Sequence, residues 1–248
     1  MDRALYVALS GAIATQRAQT ANTNNLANAN STGFRGELVL AQAVNVDGPG
    51  FQSRVNNQLS ELGWDSSHGA IIQTDRDLDV ALRENNWLAV QAADGTEAYT
   101  KAGDLQVDVN GQLRTRSGQP VIGDAGPLTI PPNSRLTIGS DGTISVLPQG
   151  AQGAATLAVV GRLRVVTAQP AQLQRREDGL FRAIPGQPPL AAAAGDVLNS
   201  GALEGSNVNL ASSLVNMIQL ARQFELQVKV LRTAEDNASA SNSLVRIN

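Results

Sequence analysis

Two kinds of hydrophobic periodicity divide this chain. Near the N terminus, Leu5, Leu9, Ala12 and Leu26 fall on one side of a helix, with Gln16, Gln19 and Thr23 at the heptad positions between them. At the far end two seven-residue series interleave. One runs Leu214, Ala221, Val228, Glu235 and Asn242; the other runs Met217, Phe224, Leu231, Ala238 and Val245. Their alternating spacing of three and four is that of a coiled-coil seam, and no Pro or Gly follows Gly205. Val215, Ile218, Leu220 and Val230 widen the stripe beyond a two-stranded seam. Ser206-Asn207 supplies the expected N-cap. A helix over 207–247 would be about 60 Å long, and an N-terminal helix of about thirty residues cannot cover it. The leftover apolar surface predicts contacts with other subunits. The alternative is a long helix lying on the chain's own β-domain.

Between the ends the period drops to two. Leu78, Val80 and Leu82 alternate; Leu105 to Val109 alternate into Asn110-Gly111; Leu136-Thr137-Ile138 leads into Asp141-Gly142, and Ile144-Ser145-Val146 follows. Asp94-Gly95 and Asp178-Gly179 close two further runs. Four such dipeptides between alternating segments predict hairpins of an antiparallel β-domain. Residues 37–76 are weakly patterned around Asp47-Gly48-Pro49-Gly50 and read as an extended arm or linker with a short hairpin. The expected fold is therefore α+β: long N- and C-terminal helices forming a coiled-coil-like bundle, with a central antiparallel all-β domain. The segments are 1–36 (helix and Asn-rich motif), 37–76 (arm), 77–200 (β-domain) and 201–248 (C-terminal helix).

Composition narrows the chemistry. The 248 residues carry a net charge of −3, and the pI is about 5.2. No basic field draws the chain to nucleic acid. Aromatic residues make up 3% of the chain, so any core is built from Leu, Val, Ile and Ala. There is no cysteine, which removes disulfides, thiolate metal sites and a Cys nucleophile. A single histidine, His68, cannot form a multi-His metal site and reads as a loop residue. Asp75, Asp77 and Asp79 would share one face of a strand, solvated. As a calcium loop the run fails, because Val80 stands where Gly is needed and Asn86 at the bidentate Glu position. No catalytic, cofactor-binding or metal residues are expected, and the chain reads as no enzyme. No apolar run approaches the roughly 18 residues of a membrane span. Arg3 before the apolar residues 5–14 resembles a leader, but Asp2 cancels its charge and Ser10-Gly11 breaks the run, so a retained helix is expected.

The ends carry a resemblance. Asn24-Asn25-Leu26-Ala27-Asn28, followed by Thr32-Gly33-Phe34-Arg35, resembles the signature of the flagellar axial proteins, the rod, hook and hook-associated proteins of the bacterial flagellum. Leu203-Glu204-Gly205-Ser206-Asn207-Val208-Asn209, then Met217-Ile218 and Arg222-Gln223-Phe224-Glu225, is similar to that family's C-terminal motif. Asp79-Val80-Ala81-Leu82, Asp94-Gly95-Thr96 and Gly103-Asp104-Leu105 are similar to its β-domain; Asn86-Trp87 departs from the Gly-Phe-Phe common there. The opening Met1 to Tyr6, with Ser10-Gly11-Ala12, is most similar to proximal-rod members.

The resemblance implies a structural subunit of the basal-body rod in the periplasm. It would be exported by the flagellar type III apparatus and would polymerise through its terminal helices into a tube that transmits torque and serves as export channel. Its partners would be itself and other proximal and distal rod proteins, with no nucleic acid, no direct membrane insertion and no cofactor. Leu5, Leu9, Ile13, Leu214, Met217, Ala221, Phe224, Val228 and Leu231 are the expected packing residues. Asn24, Asn25, Leu26 and Asn28 would hydrogen-bond and pack near the helix end, and Gly33 and Phe34 would form the turn beyond it. A distal-rod or hook-type member of the same family is the near alternative; a surface adhesin with a coiled-coil stalk is the distant one.

Overall fold

The computed structural model describes residues 2–45, 55–148 and 157–246, apart from the side chains of residues 2–5, 55–62, 238, 241–246 and a few others. The loop signal at Asp47–Gly50 and the side chains of Leu5, Ala238, Asn242 and Val245 lie outside the described residues. The chain separates into two compact units. One holds residues 1–29, 36–65 and 208–248; the other holds residues 30–35 and 66–207.

The first unit contains α1 (Asp2–Ala27), β1 (Glu37–Asn45), β2 (Val55–Trp64) and α2 (Leu210–Arg246). Threonines in α1 turn their hydroxyls back onto the preceding turn: Thr15 donates to the Gly11 carbonyl at 2.9 Å and Thr23 to Gln19 at 2.8 Å. The side chains are thereby satisfied without leaving the helix. α2 is capped two residues later than the sequence pattern suggests. Asn209, not Ser206 or Asn207, accepts from the Ser212 N–H at 2.9 Å, filling one of the orphan donors of the first turn.

The helices lie antiparallel. Asn22 of α1 donates to the Ser213 carbonyl of α2 at 2.8 Å, while Gly11 sits against Gln227, whose amide is 2.8 Å from where a Cβ would stand. The buried face of α1 is made of small residues: Ala8, Ala12, Ala14, Thr15, Ala21 and Asn22. They let the backbones approach closely. On α2 the covered positions are Ser213, Met217, Leu220, Ala221, Phe224, Gln227, Val228, Leu231 and Ala234, one stripe at helical spacing. Within residues 37–76, expected as an extended arm or linker with a short hairpin, β1 and β2 form a long antiparallel pair. It pairs Glu37 with Trp64 through to Asn45 with Val55, with an irregularity between Val39 and Ala41, and belongs to the helical unit.

The second unit runs through β3 (Ile71–Gln73), β4 (Val80–Leu82), β5 (Asn86–Gln91), β6 (Glu97–Thr100), β7 (Leu105–Val107), β8 (Leu113–Thr115), β9 (Ile122–Gly123) and β10 (Gly126–Pro127). It continues with β11 (Asn133–Ile138), β12 (Thr143–Pro148), β13 (Ala158–Arg162), β14 (Val165–Thr167), β15 (Leu173–Arg175) and β16 (Phe181–Ala183). β17 (Ala191–Ala192), β18 (Leu198–Ser200) and β19 (Ala202–Glu204) complete it. Every strand pairing among the described residues is antiparallel. The largest sheet has the order β15-β16-β6-β5-β14-β17, beside a three-stranded β11-β12-β13 sheet. The core of this unit holds Leu88, Val90, Leu105, Val121, Ile144 and Leu163.

The four Asx-Gly turns form where the sequence places them. Gly95, Gly111, Gly142 and Gly179 all adopt positive φ. The aspartates at 94 and 141 each accept from the threonine two residues on, through both its N–H and its hydroxyl. Two details differ from the pattern. Asp75 to Asp79 is a turn rather than a strand, with Asp75 at φ 54, and Asp79 is buried against Arg76 at 3.2 Å. β7 ends at Val107, leaving Val109 fully exposed in the turn.

Candidate assembly site

The Asn-rich end of α1 works inside the helical unit. Asn25 pairs with the backbone of Glu37 as a neighbouring strand would: its Nδ2 donates to the Glu37 carbonyl at 2.9 Å, and its Oδ1 accepts from the Glu37 N–H at 2.7 Å. Asn24 donates to the Glu37 carboxylate at 2.6 Å. Asn28 reaches back to the Asn24 carbonyl and side chain at 3.0 and 2.8 Å. These amides anchor the start of β1 to α1. Asn25→Ala removes both backbone partners of Glu37 at a half-buried position. The expected cost is about 1–3 kcal/mol, read as faster hydrogen exchange of the Glu37 amide and a lower unfolding midpoint. A variant with unchanged exchange there would show that the amide pairing contributes nothing.

The expected apolar packing residues separate into two groups. Met217, Ala221, Phe224, Val228 and Leu231 are partly covered, as is Leu26 near the end of α1. Leu9, Ile13 and Leu214 are more than 40% exposed, in the company of Tyr6, Leu210, Val215 and Ile218. The bulky stripe of α1 thus points away from α2, and the small residues pack inward. The stripe expected on α1 therefore divides: Ala12 is buried and Leu26 half-buried, while Leu9 is exposed. The six α1 residues that bury most are the less apolar ones.

In the β unit the two terminal motifs meet. Gly33, at φ +66, donates its N–H to the Glu204 carbonyl at 2.7 Å. Phe34 lies beneath the Arg175 guanidinium, 4.6 Å from the ring centre, and Arg175 donates to the Arg35 carbonyl at 3.1 Å. Arg35 itself is buried and pairs with Glu204 at 2.7 Å. The same Glu204 oxygen meets His68 Nδ1 at 3.0 Å and accepts from the Gly69 N–H at 3.1 Å. Lys101 is buried close by, bonded to the Glu84 carbonyl and placed over Trp87. Burial pushes the Glu204 carboxyl up, but the Arg35 charge and hydrogen bond, helped by Lys101 and His68, leave it below its ordinary value. Burial brings the Lys101 amine down to about 8, with Glu204 opposing and Arg35 reinforcing.

Arg35 and Glu204 stand inside the two motifs read from the sequence, yet nothing in a single chain pairs positions so far apart. His68 is the loop histidine expected, now with a partner. Among the described residues no cluster of three or more His, Asp or Glu is placed to hold a metal, and no helix is long and apolar enough to cross a membrane. The clasp of Arg35, Glu204 and His68 is structural in geometry.

Three family models match the chain. "Flagella basal body rod protein" matches residues 5–35, "Flagellar hook protein FlgE/F/G D1 domain" residues 81–146, and "Flagellar basal body rod FlgEFG protein C-terminal" residues 199–244. The FlgF rod protein of Escherichia coli (strain K12) is 44% identical over 253 residues, covering 99% of both chains. That of Salmonella typhimurium (strain LT2) is 44% identical over 250 residues with the same coverage. A FlgG rod protein of Buchnera aphidicola from Schizaphis graminum is 31% identical over 95% of this chain and 96% of its own. The matches cover both terminal motifs and the β unit between them, at the residues whose contacts have just been described. This chain belongs to the flagellar basal-body rod protein family and is most like its FlgF members.

Proposed function

We propose that this chain is a subunit of the proximal rod, in the periplasm, and that it polymerises through α1 and α2. In this reading the helix pairs of neighbouring subunits complete a coiled-coil-like inner bundle, and the tube transmits torque and conducts exported chains. Itself and other proximal and distal rod proteins are its partners, and the flagellar type III apparatus delivers it. The observation that carries the reading is the apolar surface that the helix pair leaves open: Tyr6, Leu9 and Ile13 on α1, and Leu214, Val215 and Ile218 on α2. A pair of helices apolar on outward faces is stable in water only when those faces are covered.

Because the chain lacks cysteine, single thiols report coverage cleanly. Ile218→Cys is expected to react with a maleimide in the free chain, where position 218 is 54% exposed, and to be protected in isolated basal bodies. Equal labelling in both states, or absence of the chain from basal bodies, would overturn the proposal.

A further inference from the structure

One short piece of the β unit comes from outside its continuous stretch. Residues 66–207 run unbroken through the unit, and residues 30–35 join it from between two pieces of the helical unit. They lie as a strap against a site that residues 66–207 build by themselves. β19 pairs with β3, with Glu204 opposite Ile71, and the Gly205 N–H donates to the Ala70 carbonyl at 2.8 Å. His68 and the Gly69 N–H hold the Glu204 carboxylate at 3.0 and 3.1 Å. Arg175 stands on β15, opposite Phe181 of β16. None of these contacts uses residues 30–35, so the site is organised without the strap.

The strap is held as an extended peptide is held, by its backbone for affinity and its side chains for selectivity. The Gly33 N–H donates to the Glu204 carbonyl at 2.7 Å, and the Phe34 carbonyl accepts from the Asn207 N–H at 3.3 Å. Three consecutive positions set the selectivity. A Cβ at position 33 would run into the backbone of Lys101 and Ala102, so only glycine fits. At position 34 the Arg175 guanidinium covers an aromatic ring. At position 35 a buried well ends on the Glu204 carboxylate and takes a guanidinium at 2.7 Å. The fit is incomplete, because Arg35 Nε and Nη1 and Glu204 Oε2 make no hydrogen bond. Buried polar atoms without partners destabilise the bound state and so ease release. We infer that residues 66–207 form a receptor for a Gly-aromatic-Arg segment, that residues 30–35 fill it as a tethered ligand, and that it accepts the same segment from a second copy of this chain. The inference stands on the β unit alone and does not need the rod assignment.

A full-length chain carrying Gly33→Ala keeps the receptor and loses a fitting strap. A fluorescent peptide of residues 29–37 is expected to bind it at least about tenfold more tightly than it binds wild type, where the tethered strap competes at a roughly millimolar effective concentration. The same peptide with Arg35→Met is expected not to bind. The second copy is tested by adding excess Glu204→Ala chains, whose strap is intact, to isotope-labelled Gly33→Ala chains. Hydrogen exchange of the Asn207 amide in the labelled chain is expected to slow. Glu204→Ala chains that also carry Gly33→Ala are expected to leave it unchanged. Equal peptide affinity for wild type and Gly33→Ala, or no binding at millimolar peptide, would overturn the inference. So would an Asn207 amide that both added chains protect alike, or that neither protects. Phe34→Ala replaces Gly33→Ala if that chain does not fold. If neither folds, residues 66–207 cannot hold the site without the strap, and the inference fails.

Discussion

Glu204→Ala is expected to lower the unfolding free energy of the β unit by about 3–5 kcal/mol, the range for removing one partner of a buried ion pair. Arg35 and Glu204 are 0% and 2% exposed at their side chains, so the orphaned guanidinium would have no route to water. Lys101, buried in the same neighbourhood, would lose its counter-charge too. The pair is also incompletely bonded: Arg35 Nε and Nη1 and Glu204 Oε2 make no hydrogen bond. That predicts an asymmetry. Changing both residues at once, Arg35→Met with Glu204→Met, is expected to cost less than Glu204→Ala alone, because apolar replacement of the whole pair removes the desolvation of both charges. Denaturant unfolding of wild type, single and double variants decides it. A single variant within 1 kcal/mol of wild type would mean that the ion pair does not hold the motifs together.

The same cluster sets a pH signature. Glu204 has a folded pKa below its ordinary value of 4.5. Its contribution is therefore complete above 4.5 and is lost as the pH falls through the folded value. Lys101 has a folded pKa of about 8 against 10.5 when unfolded. Between these values the unfolded chain binds more protons, so stability rises with pH over that window. Wild type is expected to show both limbs. Glu204→Ala removes the acid limb from Glu204 and, by deleting the charge that supports the Lys101 cation, moves the start of the alkaline rise below pH 8.

How much of this was legible depended on range. The Asx-Gly turns were legible because the information is local. Gly95, Gly111, Gly142 and Gly179 need positive φ, and the flanking aspartates close the turns with their own side chains. The existence of α2 was legible from its heptad series and the absence of Pro and Gly after Gly205, and that of α1 from the helical spacing of Leu5, Leu9, Ala12 and Leu26. The inner face of α1 was not. Close helix approach selects Ala8, Gly11, Thr15 and Ala18, whose hydrophobicity is lower than that of Leu9 and Ile13 on the outside. A pattern rule built on apolar strength picks Leu9 with Ala12 and misses Ala8, Thr15 and Asn22. The N-cap slipped by two residues because 206–209 contain three candidate capping side chains, and only the backbone decides which is used. The clasp was illegible for a different reason. Arg35 and Glu204 lie at opposite ends of the sequence, and in one chain nothing marks which charge of 41 ionisable Lys, Arg, Asp and Glu residues is desolvated beside which.

Gly33→Ala carries the second large effect, and it separates two ways a glycine can matter. Gly33 sits at φ +66, and a Cβ there would lie 2.3 Å from the carbonyl carbon of Lys101 and 2.5 Å from the Ala102 nitrogen. Left-handed backbone costs an L-residue roughly 1–2 kcal/mol. The obstruction is backbone in a packed unit, so relieving it adds about 1–3 kcal/mol more, for a total of about 3 kcal/mol. The displacement would also stretch the bond from the Gly33 N–H to the Glu204 carbonyl and so loosen the clasp from its other side. Gly95→Ala is the control. It has φ +80, but nothing lies within 4 Å of the added Cβ, so only the conformational cost applies. Thermal unfolding should place Gly33→Ala clearly below Gly95→Ala. If the two fall together, backbone conformation alone governs Gly33, and the close approach of the rod motif to Lys101 contributes nothing to the stability of the β unit.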